Sequence, residues 1–407
     1  MKNSLLAFLV LSGLAFSCNR TGDKLTAVSI GRIDSLYSNL LKEQRKIWVY
    51  VPNEGSQTAY SQQRYPVLYL LDGPAHFHAV TGLLRHLVEN SLCPEMIVVA
   101  IPNTDRSRDL TPTHSLGGTD GKPQDFLKTT GGGEVFTSFL EKELIPYVET
   151  HYPTAPHRML VGHSFGGLFA INALINHPQL FNSYVAIDPS MWWDNRKLLS
   201  HADTVLAKAR FDKKTLFLSI ANTMEKGMDT ARLVTDTTGN TEHIRSIFQF
   251  RKEVKANAAN GLRFGWKYYA ADDHGSVPLI SEYDAFRFIF DYYKPDIDYE
   301  TVTVDVLAHH FKTVSDRIGY ALLPPEAVVN QVGYSYLRQK KFDQAFSFFN
   351  LNVENYPKSQ NVFDSMGDFY VAKGDTAKAI ETYTKALTLG ETPYTRKKLE
   401  ELNEKRK

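Results

Sequence analysis

The sequence predicts an α/β fold, with a mostly parallel sheet covered by helices on both faces, followed by a small all-α region of helical repeats. Two observations support this prediction. Apolar, strand-like segments alternate with amphipathic, helix-like segments from about residue 28 to 295, and small and aromatic residues recur at a spacing of 34 beyond residue 326. Alternating strands and helices are typical of parallel sheets, because parallel neighbours need a long crossover connection.

The composition is that of a folded protein with a sizeable core. Of the 407 residues, 43% are hydrophobic and 22% are charged, which excludes disordered, collagenous and multi-span membrane proteins. Lys and Arg number 46 against 45 Asp and Glu, a net charge of +1. Because bulk charge gives no attraction to phosphates or anionic lipid surfaces, we expect no nucleic-acid partner.

The N-terminus has the pattern of an export signal. Lys2 precedes an apolar run over residues 5–15, which is shorter than the roughly 20 residues that a bilayer span needs. We therefore predict a signal peptide over 1–17. Cys18 follows it and resembles the modified cysteine of bacterial lipoproteins; ordinary cleavage with a free thiol is the alternative. Residues 18–27 are polar and are predicted to be a tether, which places the protein in the periplasm or at the outer membrane, with membrane contact only through Cys18.

Residues 66–71 and 96–101 are apolar without alternation, which indicates strands covered on both faces. Further strands are predicted over 47–51, 158–161, 184–187, 215–221 and 265–271. Residues 135–152 are predicted to be a helix that Pro146 kinks. Active sites of such sheets lie beyond the carboxyl ends of the strands, so catalytic groups are expected in those loops.

A nucleophile is predicted at Ser164. Gly162–Gly166 matches the G-x-S-x-G nucleophile elbow, and the match lies between an apolar strand segment and a helix segment. The strained strand-to-helix turn exposes the serine hydroxyl above the sheet, next to a helix N-terminus that favours negative charge. The alternative is a serine that only caps the helix.

The base is predicted to be His274. A serine hydroxyl needs a base to take its proton, and in the α/β-hydrolase triad the order is Ser, acid, His. Of the six histidines after Ser164, only His274 lies in a loop that follows a strand segment. A surface-loop histidine is the alternative.

The third triad member is expected in the loop after the strand segment 215–221. Glu225 is the first carboxylate of that loop, and Asp229 is the alternative. The acid orients the imidazole and stabilises its protonated form.

Oxyanion stabilisation needs two backbone N–H groups. Phe165, directly after the nucleophile, should supply one. The other should come from the loop after residue 71, where Pro74 has no N–H, so Gly73 or Ala75 must donate.

Two further side chains are candidates for substrate contact. Arg106 could bind an acidic substrate, or it could belong to an ion-pair network with Arg108 and Asp109 that shapes the rim. Trp192 could line the substrate pocket, or it could pack in the core. The sequence contains no H-E-x-x-H and no Walker motif, so we expect neither a metal nor another cofactor.

Several segments together resemble a known family. They are Leu71–Gly73 with His76–Phe77, Asn103–Pro112, Glu143–Pro146, Gly162–Gly167, Pro189–Trp193 and His274–Pro278. They are similar to the putative esterase family, the α/β-hydrolase group that contains esterase D, enterochelin esterases and feruloyl or acetyl-xylan esterases. The resemblance covers about residues 28–295. It implies an α/β-hydrolase fold and a cofactor-free serine esterase, with Ser164 and His274 at the family's catalytic positions.

The C-terminal region resembles tetratricopeptide repeats over about 326–393. Gly333 and Gly367, Tyr336 and Tyr370, and Ala345 and Ala379 are each 34 residues apart. Residues 296–325 are predicted to connect the two regions through a helix over 304–320, and a capping helix is predicted over 394–405. Since two repeats are fewer than such arrays need to stand alone, the hydrolase surface should cover them. The repeats are expected to be a docking or self-association element.

The sequence predicts hydrolysis of a carboxylic ester through an acyl-enzyme. Acyl transfer to a bound alcohol by the same residues is one alternative. A non-catalytic scaffold dominated by the repeats is another. Siderophore backbone esters, sugar acetates and aryl esters remain open as substrates.

Overall fold

The computed structural model describes residues 29–52, 64–117 and 122–406. The predicted signal peptide 1–17, the candidate lipidation site Cys18 and the tether 18–27 lie outside these ranges. Within them, no helix combines the length and the apolar character needed to cross a membrane.

The described residues form a single eight-stranded sheet in the order β1-β2-β4-β3-β5-β6-β7-β8. The strands are β1 (Arg32–Ser38), β2 (Glu43–Tyr50), β3 (Tyr65–Leu70), β4 (Ile97–Ala100), β5 (Thr154–His163), β6 (Ser183–Ile187), β7 (Thr215–Ala221) and β8 (Arg263–Tyr269). β1 and β2 are antiparallel at one edge, and β3 to β8 run parallel. The strand order reverses at β3, where α/β sheets open a crevice at the carboxyl ends of their strands.

Helices cover both faces of the sheet. Those before residue 290 are α1 (Gly73–Glu89), α2 (Arg106–Leu110), α3 (Gly133–Phe139), α4 (Ile145–His151), α5 (Phe165–Asn176), α6 (Trp193–Lys208), α7 (Thr230–Leu233), α8 (Glu242–Ala256) and α9 (Val277–Ile289). This arrangement confirms the predicted α/β class.

The local sequence accounts for the central elements. Every residue of β3, β4 and β6 is buried, as continuous apolar runs predict. The helix predicted over 135–152 is interrupted as expected: α3 and α4 are separated by a π-helical turn at Leu140–Leu144, and Pro146 lies in the first turn of α4. Proline lacks the N–H that a continuous helix needs, and its ring displaces the preceding turn.

The region after α9 is entirely helical. Its helices are α10 (Val304–Ile318), α11 (Glu326–Arg338), α12 (Phe342–Asn355), α13 (Gln360–Lys373), α14 (Thr376–Leu389) and α15 (Pro393–Arg406). The pairs α11/α12 and α13/α14 begin 34 residues apart, in agreement with the sequence period. Their assignment to the tetratricopeptide class stays a prediction.

The helical region packs directly against the α/β region. One apolar core, called here the second core, extends from one sheet face through α1 and α9 into α10–α13; it includes Leu68, Val98, Phe77, Phe286, Phe311, Val329 and Phe349. A polar contact crosses the same boundary. His157 Nδ1 of β5 lies 3.3 Å from the carbonyl oxygen of Ile318 in α10, and within the helical region the Tyr336 hydroxyl of α11 donates to the Val302 carbonyl, just before α10, at 2.7 Å. The α/β region thus buries one side of the helical region.

Small residues let the paired helices approach each other. A Cβ atom at Gly367 would lie 2.3 Å from the ring of Tyr383, and the equivalent Cβ at Gly333 would lie 2.9 Å from the ring of Phe349. We expect Gly367→Ala to lower the free energy of unfolding by about 1–3 kcal/mol, because the buried Tyr383 ring must move.

Urea unfolding followed by circular dichroism would measure this change. Gly82→Ala is the matched control, because a Cβ at Gly82 in α1 meets no atom within 4 Å and alanine favours a helix. Equal stability of Gly367→Ala and wild type would contradict the predicted close packing of α13 and α14.

Candidate active site

Ser164 lies at the sharp turn between β5 and α5. Its backbone has φ 61° and ψ −115°, a conformation that a non-glycine residue adopts only under strain. A Cβ at Gly162 would lie 2.3 Å from the carbonyl oxygen of Gly166, so glycine is required for the turn to close. The local geometry is that of the predicted nucleophile elbow.

The turn is anchored to the segment that follows β6. The N–H of Ser164 donates to the carbonyl of Ile187 at 2.9 Å, and the Ser164 carbonyl accepts from the N–H of Ser190 at 3.1 Å. The Ser164 Oγ lies 3.4 Å from the Ser190 Oγ. Asp188 stands between these two anchoring residues.

The carboxylate that pairs with His274 is Asp188. His274 Nδ1 lies 2.6 Å from Asp188 Oδ2. The predicted acids are engaged elsewhere: Glu225 Oε1 accepts from the side-chain amide of Asn240 at 2.7 Å, and Asp229 Oδ1 accepts from the N–H of Arg232 at the start of α7. The expectation that Glu225 or Asp229 orients His274 is therefore corrected to Asp188.

Strand order explains the correction. Asp188 directly follows β6, which lies next to the nucleophile strand β5, whereas Glu225 follows β7, one strand further away. The Asp188 Oδ1 accepts from the N–H of Ala221 at 2.9 Å, and its own N–H donates to the carbonyl of Ser219, both on β7. The sequence analysis missed this residue; the signal that would have identified it is a carboxylate directly after the buried strand β6.

The surroundings of Asp188 keep it ionised. Burial alone would raise the pKa of this carboxyl, but hydrogen bonds from His243, His274 and the Ala221 N–H hold its pKa well below the usual range. An ionised carboxylate only accepts hydrogen bonds, so His274 carries its proton on Nδ1. Its Nε2 is then free to accept a proton from a nucleophile.

His274 and Ser164 are held at the same edge of the sheet. Ser164 bonds to Ile187 and Ser190, while His274 bonds to Asp188 between them. In the described part of the chain, Ser164 Oγ and His274 share no hydrogen bond. Such bonds are often long before substrate binds and tighten in the complex. The His274 side chain is 41% exposed, so a small molecule can reach it.

His163, adjacent to the nucleophile, faces the other histidines. The centroid of its ring is 4.4 Å from that of His274 and 6.2 Å from that of His76. Burial, with a further contribution from His274, lowers the pKa of His163 to about 4, so its imidazole is neutral at neutral pH. Its buried Nε2 has no hydrogen-bond partner among the described residues.

The oxyanion donors differ in part from the prediction. Phe165 begins α5, where the first N–H groups have no acceptor within the helix. The N–H of Gly73, however, already donates to the Ile101 carbonyl at 3.1 Å, and that of Ala75 donates to the Asp72 carbonyl. Asp72 replaces Gly73 as the candidate: its φ is 53°, and among the described residues its N–H is not a donor in any backbone hydrogen bond, unlike those of Leu71, Gly73 and Ala75.

A cleft of about 500 Å³ opens next to this site. It is lined by Asp72, Pro74, Ala75, His76, Pro102, Asn103, Arg106 and His163. Its volume falls in the range of small-molecule sites. The cleft thus offers room for a substrate beside the Ser164 turn.

Arg106 is committed to an ion pair in this cleft. Its Nε and Nη2 atoms lie 2.7 and 2.9 Å from the two Asp72 carboxylate oxygens, and Nη2 also donates to the His163 carbonyl. Burial would raise the pKa of Asp72, but Arg106 and Asn103 hold it below its ordinary value. Arg108 and Asp109 belong to a separate network with Glu43 and Arg45. Arg106 thus positions the Asp72 turn, and substrate contact by Arg106 stays a prediction.

Trp192 lies near the elbow but outside the cleft lining. Its half-buried ring is 6.3 Å from that of Phe165. The neighbouring Trp193 is buried, and its Nε1 donates to the Thr113 carbonyl at 3.1 Å. Trp193 therefore packs in the core, while a role of Trp192 in substrate binding stays a prediction.

Three groups at the site could in principle hold a metal ion. Asp188, His243 and His274 each offer one ligand atom, all within 4.8 Å of one another. The nitrogen–oxygen distances of 2.6 and 2.8 Å are those of hydrogen bonds. Two ligands bonded to one tetrahedral Zn²⁺ at 2.0–2.1 Å would be roughly 3.3 Å apart. The arrangement is thus hydrogen bonded rather than shaped for zinc.

Behind the cleft, Glu282 of α9 is a buried carboxyl group. It is 1% exposed, its Oε1 lies 3.5 Å from His76 Nδ1, and neither oxygen forms a hydrogen bond within the described residues. Burial raises its pKa from 4.5 to about 8, so the folded protein holds a proton there that the unfolded chain releases above pH 4.5.

The wild type should therefore lose stability as the pH rises from about 4.5 through 8, because the neutral form is the one that the fold accommodates. We expect the free energy of unfolding of the wild type to fall by about 1–3 kcal/mol between pH 5 and pH 8.5, relative to that of Glu282→Gln, whose side chain does not titrate. Urea unfolding at both pH values measures it. The exposed Glu381→Gln is the control, and parallel pH dependences of wild type and Glu282→Gln would contradict the prediction.

Comparison with known proteins agrees with the described geometry. The family described as "Putative esterase" matches residues 38–259, more than half of the chain. The structure of an IroE-like serine hydrolase from Shewanella oneidensis is 32% identical with a TM-score of 0.68, covering 80% of this chain and 99% of that one.

Curated relatives match a shorter segment. A siderophore enterobactin esterase of Emericella nidulans is 35% identical over 158 residues, 35% of this chain and 52% of the relative. A siderophore triacetylfusarinine C esterase of Aspergillus fumigatus is 31% identical over 194 residues, 44% of this chain and 63% of the relative. The chain thus spans less than two thirds of the length of either protein. The family match, the α/β sheet and the serine elbow agree: this chain belongs to the putative esterase family of α/β-hydrolases.

Proposed function

We propose that the protein is a serine esterase in which Ser164, His274 and Asp188 form the catalytic triad. The observation that carries this proposal is the 2.6 Å contact between His274 and the buried, ionised Asp188, beside the strained Ser164 turn. An imidazole held by a carboxylate in this way is oriented to accept a proton and is stabilised once it has accepted it.

The reaction proceeds through an acyl-enzyme. His274 Nε2 takes the hydroxyl proton as Ser164 Oγ attacks the ester carbonyl, and Asp188 stabilises the resulting imidazolium. The N–H groups of Phe165 and Asp72 donate to the oxyanion. His274 then gives the proton to the departing alcohol. Water, activated by the same imidazole, releases the acid and restores Ser164.

A siderophore ester is the proposed substrate class. Both curated relatives described above are siderophore esterases, and the cleft of about 500 Å³ has the size for a group of that kind. The polar lining of this cleft carries almost no net charge, because Arg106 is paired with Asp72 and burial keeps the His163 imidazole neutral. Such a lining suits an alcohol or acyl group rich in hydrogen-bonding atoms.

The test combines labelling with a substrate panel. A fluorophosphonate probe should modify Ser164, as mapped by peptide mass spectrometry, and Ser164→Ala should stay unlabelled. The panel contains a catecholate trilactone siderophore, a hydroxamate siderophore ester, a feruloyl ester and an acetylated sugar. We expect the highest kcat/KM for a siderophore ester. A higher kcat/KM for the acetylated sugar would contradict the substrate class, and an unlabelled wild type would contradict the mechanism.

Export and anchoring are proposed from the N-terminal sequence. We propose that residues 1–17 direct export and that Cys18 carries a lipid, while the helical repeats provide a surface for a protein partner or a second copy of the chain. Fractionation of cells that produce the full chain should find it with the membranes. Cys18→Ala should move it to the soluble fraction, and an unchanged membrane association would contradict the anchor.

A further inference from the structure

Asp188 binds a second histidine through the oxygen that holds His274. His243 Nε2 lies 2.8 Å from Asp188 Oδ2, and His274 Nδ1 lies 2.6 Å from the same atom. The two imidazole rings are perpendicular, with centroids 5.1 Å apart. Since Asp188 is an ionised acceptor, His243 must carry a proton on Nε2 to make this contact.

The fold holds His243 firmly in this position. It is the second residue of α8, its side chain is 15% exposed, and the Ser246 hydroxyl donates to its carbonyl at 2.7 Å. The preceding residue, Glu242, forms a bidentate ion pair with Arg196 of α6 at 2.6 Å and also contacts Arg245. The first turn of α8 is therefore tied to α6 through Arg196 and braced within its own helix by Arg245.

We propose that His243 is a positioning residue that orients Asp188 toward His274 and sets the pH range in which His274 acts as a base. This inference rests on the proposed function, because it assigns His243 a role in the same triad. An N–H that donates to Asp188 Oδ2 draws electron density from the carboxylate. The carboxylate then stabilises the protonated form of His274 less strongly than it would with a single donor.

The direction of the pH effect follows from the groups around the pair. His243 faces Asp188 from α8, and His274 faces it from the loop after β8, with His163 against the other side of His274. The nearby charges of Glu242 are compensated by Arg196 and Arg245. Removing the His243 N–H leaves Asp188 a stronger partner for protonated His274, so the acid limb of the kcat/KM profile should move to higher pH.

The experiment compares two substitutions at one position. His243→Ala removes the donor, whereas His243→Gln keeps an N–H donor of similar reach. For a short-chain nitrophenyl ester between pH 5 and 10, we expect His243→Ala to lower kcat about 10–100-fold and to move the acid limb upward. We expect His243→Gln to stay close to wild type in both quantities. His177→Ala is the control. His177 follows the C-terminal end of α5, and its Nε2 lies 3.0 Å from a carboxylate oxygen of Glu134, so this variant also removes a histidine–carboxylate contact.

Two results would overturn the inference. One is a wild-type rate and profile for His243→Ala. The other is a lowered rate with an unmoved acid limb that His243→Gln fails to restore, which indicates a purely structural role. If His243→Ala does not fold, His243→Phe takes its place, because phenylalanine keeps a ring but has no N–H donor; a wild-type rate and profile for His243→Phe would overturn the inference. Failure of the proposed function gives a different result from failure of this inference. If Ser164 is not the nucleophile, Ser164→Ala retains full activity, independently of the rates and pH profiles of the His243 variants.

Discussion

Replacing Ser164 with alanine is expected to lower kcat for ester hydrolysis by about 10⁴- to 10⁶-fold. In the proposed mechanism, the serine Oγ is the only protein atom that forms a covalent bond to the acyl group of the substrate. Alanine keeps the backbone of the turn and removes this atom. KM should change much less than kcat, because the cleft residues that bind the substrate remain.

Steady-state hydrolysis of a short-chain nitrophenyl ester, with active-site titration by a fluorophosphonate, measures this loss. Ser347→Ala is the control: this serine is exposed on α12, and its hydroxyl donates within its own helix to the Asp343 carbonyl. A Ser164→Ala protein with more than a tenth of the wild-type kcat would show that another nucleophile performs the reaction.

Replacing Asp188 with asparagine is expected to lower kcat by about 10⁴-fold at neutral pH. Asparagine has nearly the same shape, but its uncharged amide stabilises the His274 imidazolium poorly. An amide N–H directed at His274 would also favour the tautomer with its proton on Nε2. The imidazole would then have no acceptor for the Ser164 proton, while the substrate cleft would remain intact.

Glu225→Gln is the comparison that separates the two candidate acids. Glu225 is exposed and contacts Asn240, so its replacement should leave kcat within about twofold of wild type. Measuring both variants with the same ester, after thermal unfolding has shown that both are folded, completes the test. A large loss in Glu225→Gln together with an active Asp188→Asn would restore the acid that the sequence predicted.

The parallel strands could be predicted because burial on both faces leaves a direct mark in the sequence. β7 has the bounds predicted for it, residues 215–221. β1 had no such mark, since it is an antiparallel edge strand with Ile33 and Tyr37 exposed. The paired helices were predicted from the spacing of Gly333 and Gly367, because close helix packing demands small residues at a fixed interval.

The site was predictable only as far as local sequence defines it. Ser164 needs a strained turn and His274 needs a loop after a strand, and both can be read along the chain. The acid depends on which strand lies next to the nucleophile strand, and Asp188 was missed because strand order is set by tertiary packing. The prediction that Gly73 is an oxyanion donor was wrong for a related reason. The N–H of Gly73 is already hydrogen bonded to the Ile101 carbonyl, and this bond depends on the register of β3 against β4.

Because the two regions of the chain share the second core, we expect them to unfold together. Phe286 and Ile289 of α9 lie in this core with Phe311 and Val314 of α10. A protein shortened before α10 would expose the apolar side of α9 to solvent. We expect such a protein to aggregate rather than to fold as an active α/β region. Loss of the helical region during evolution would therefore require polar substitutions on the apolar side of α9, and its gain would require the reverse.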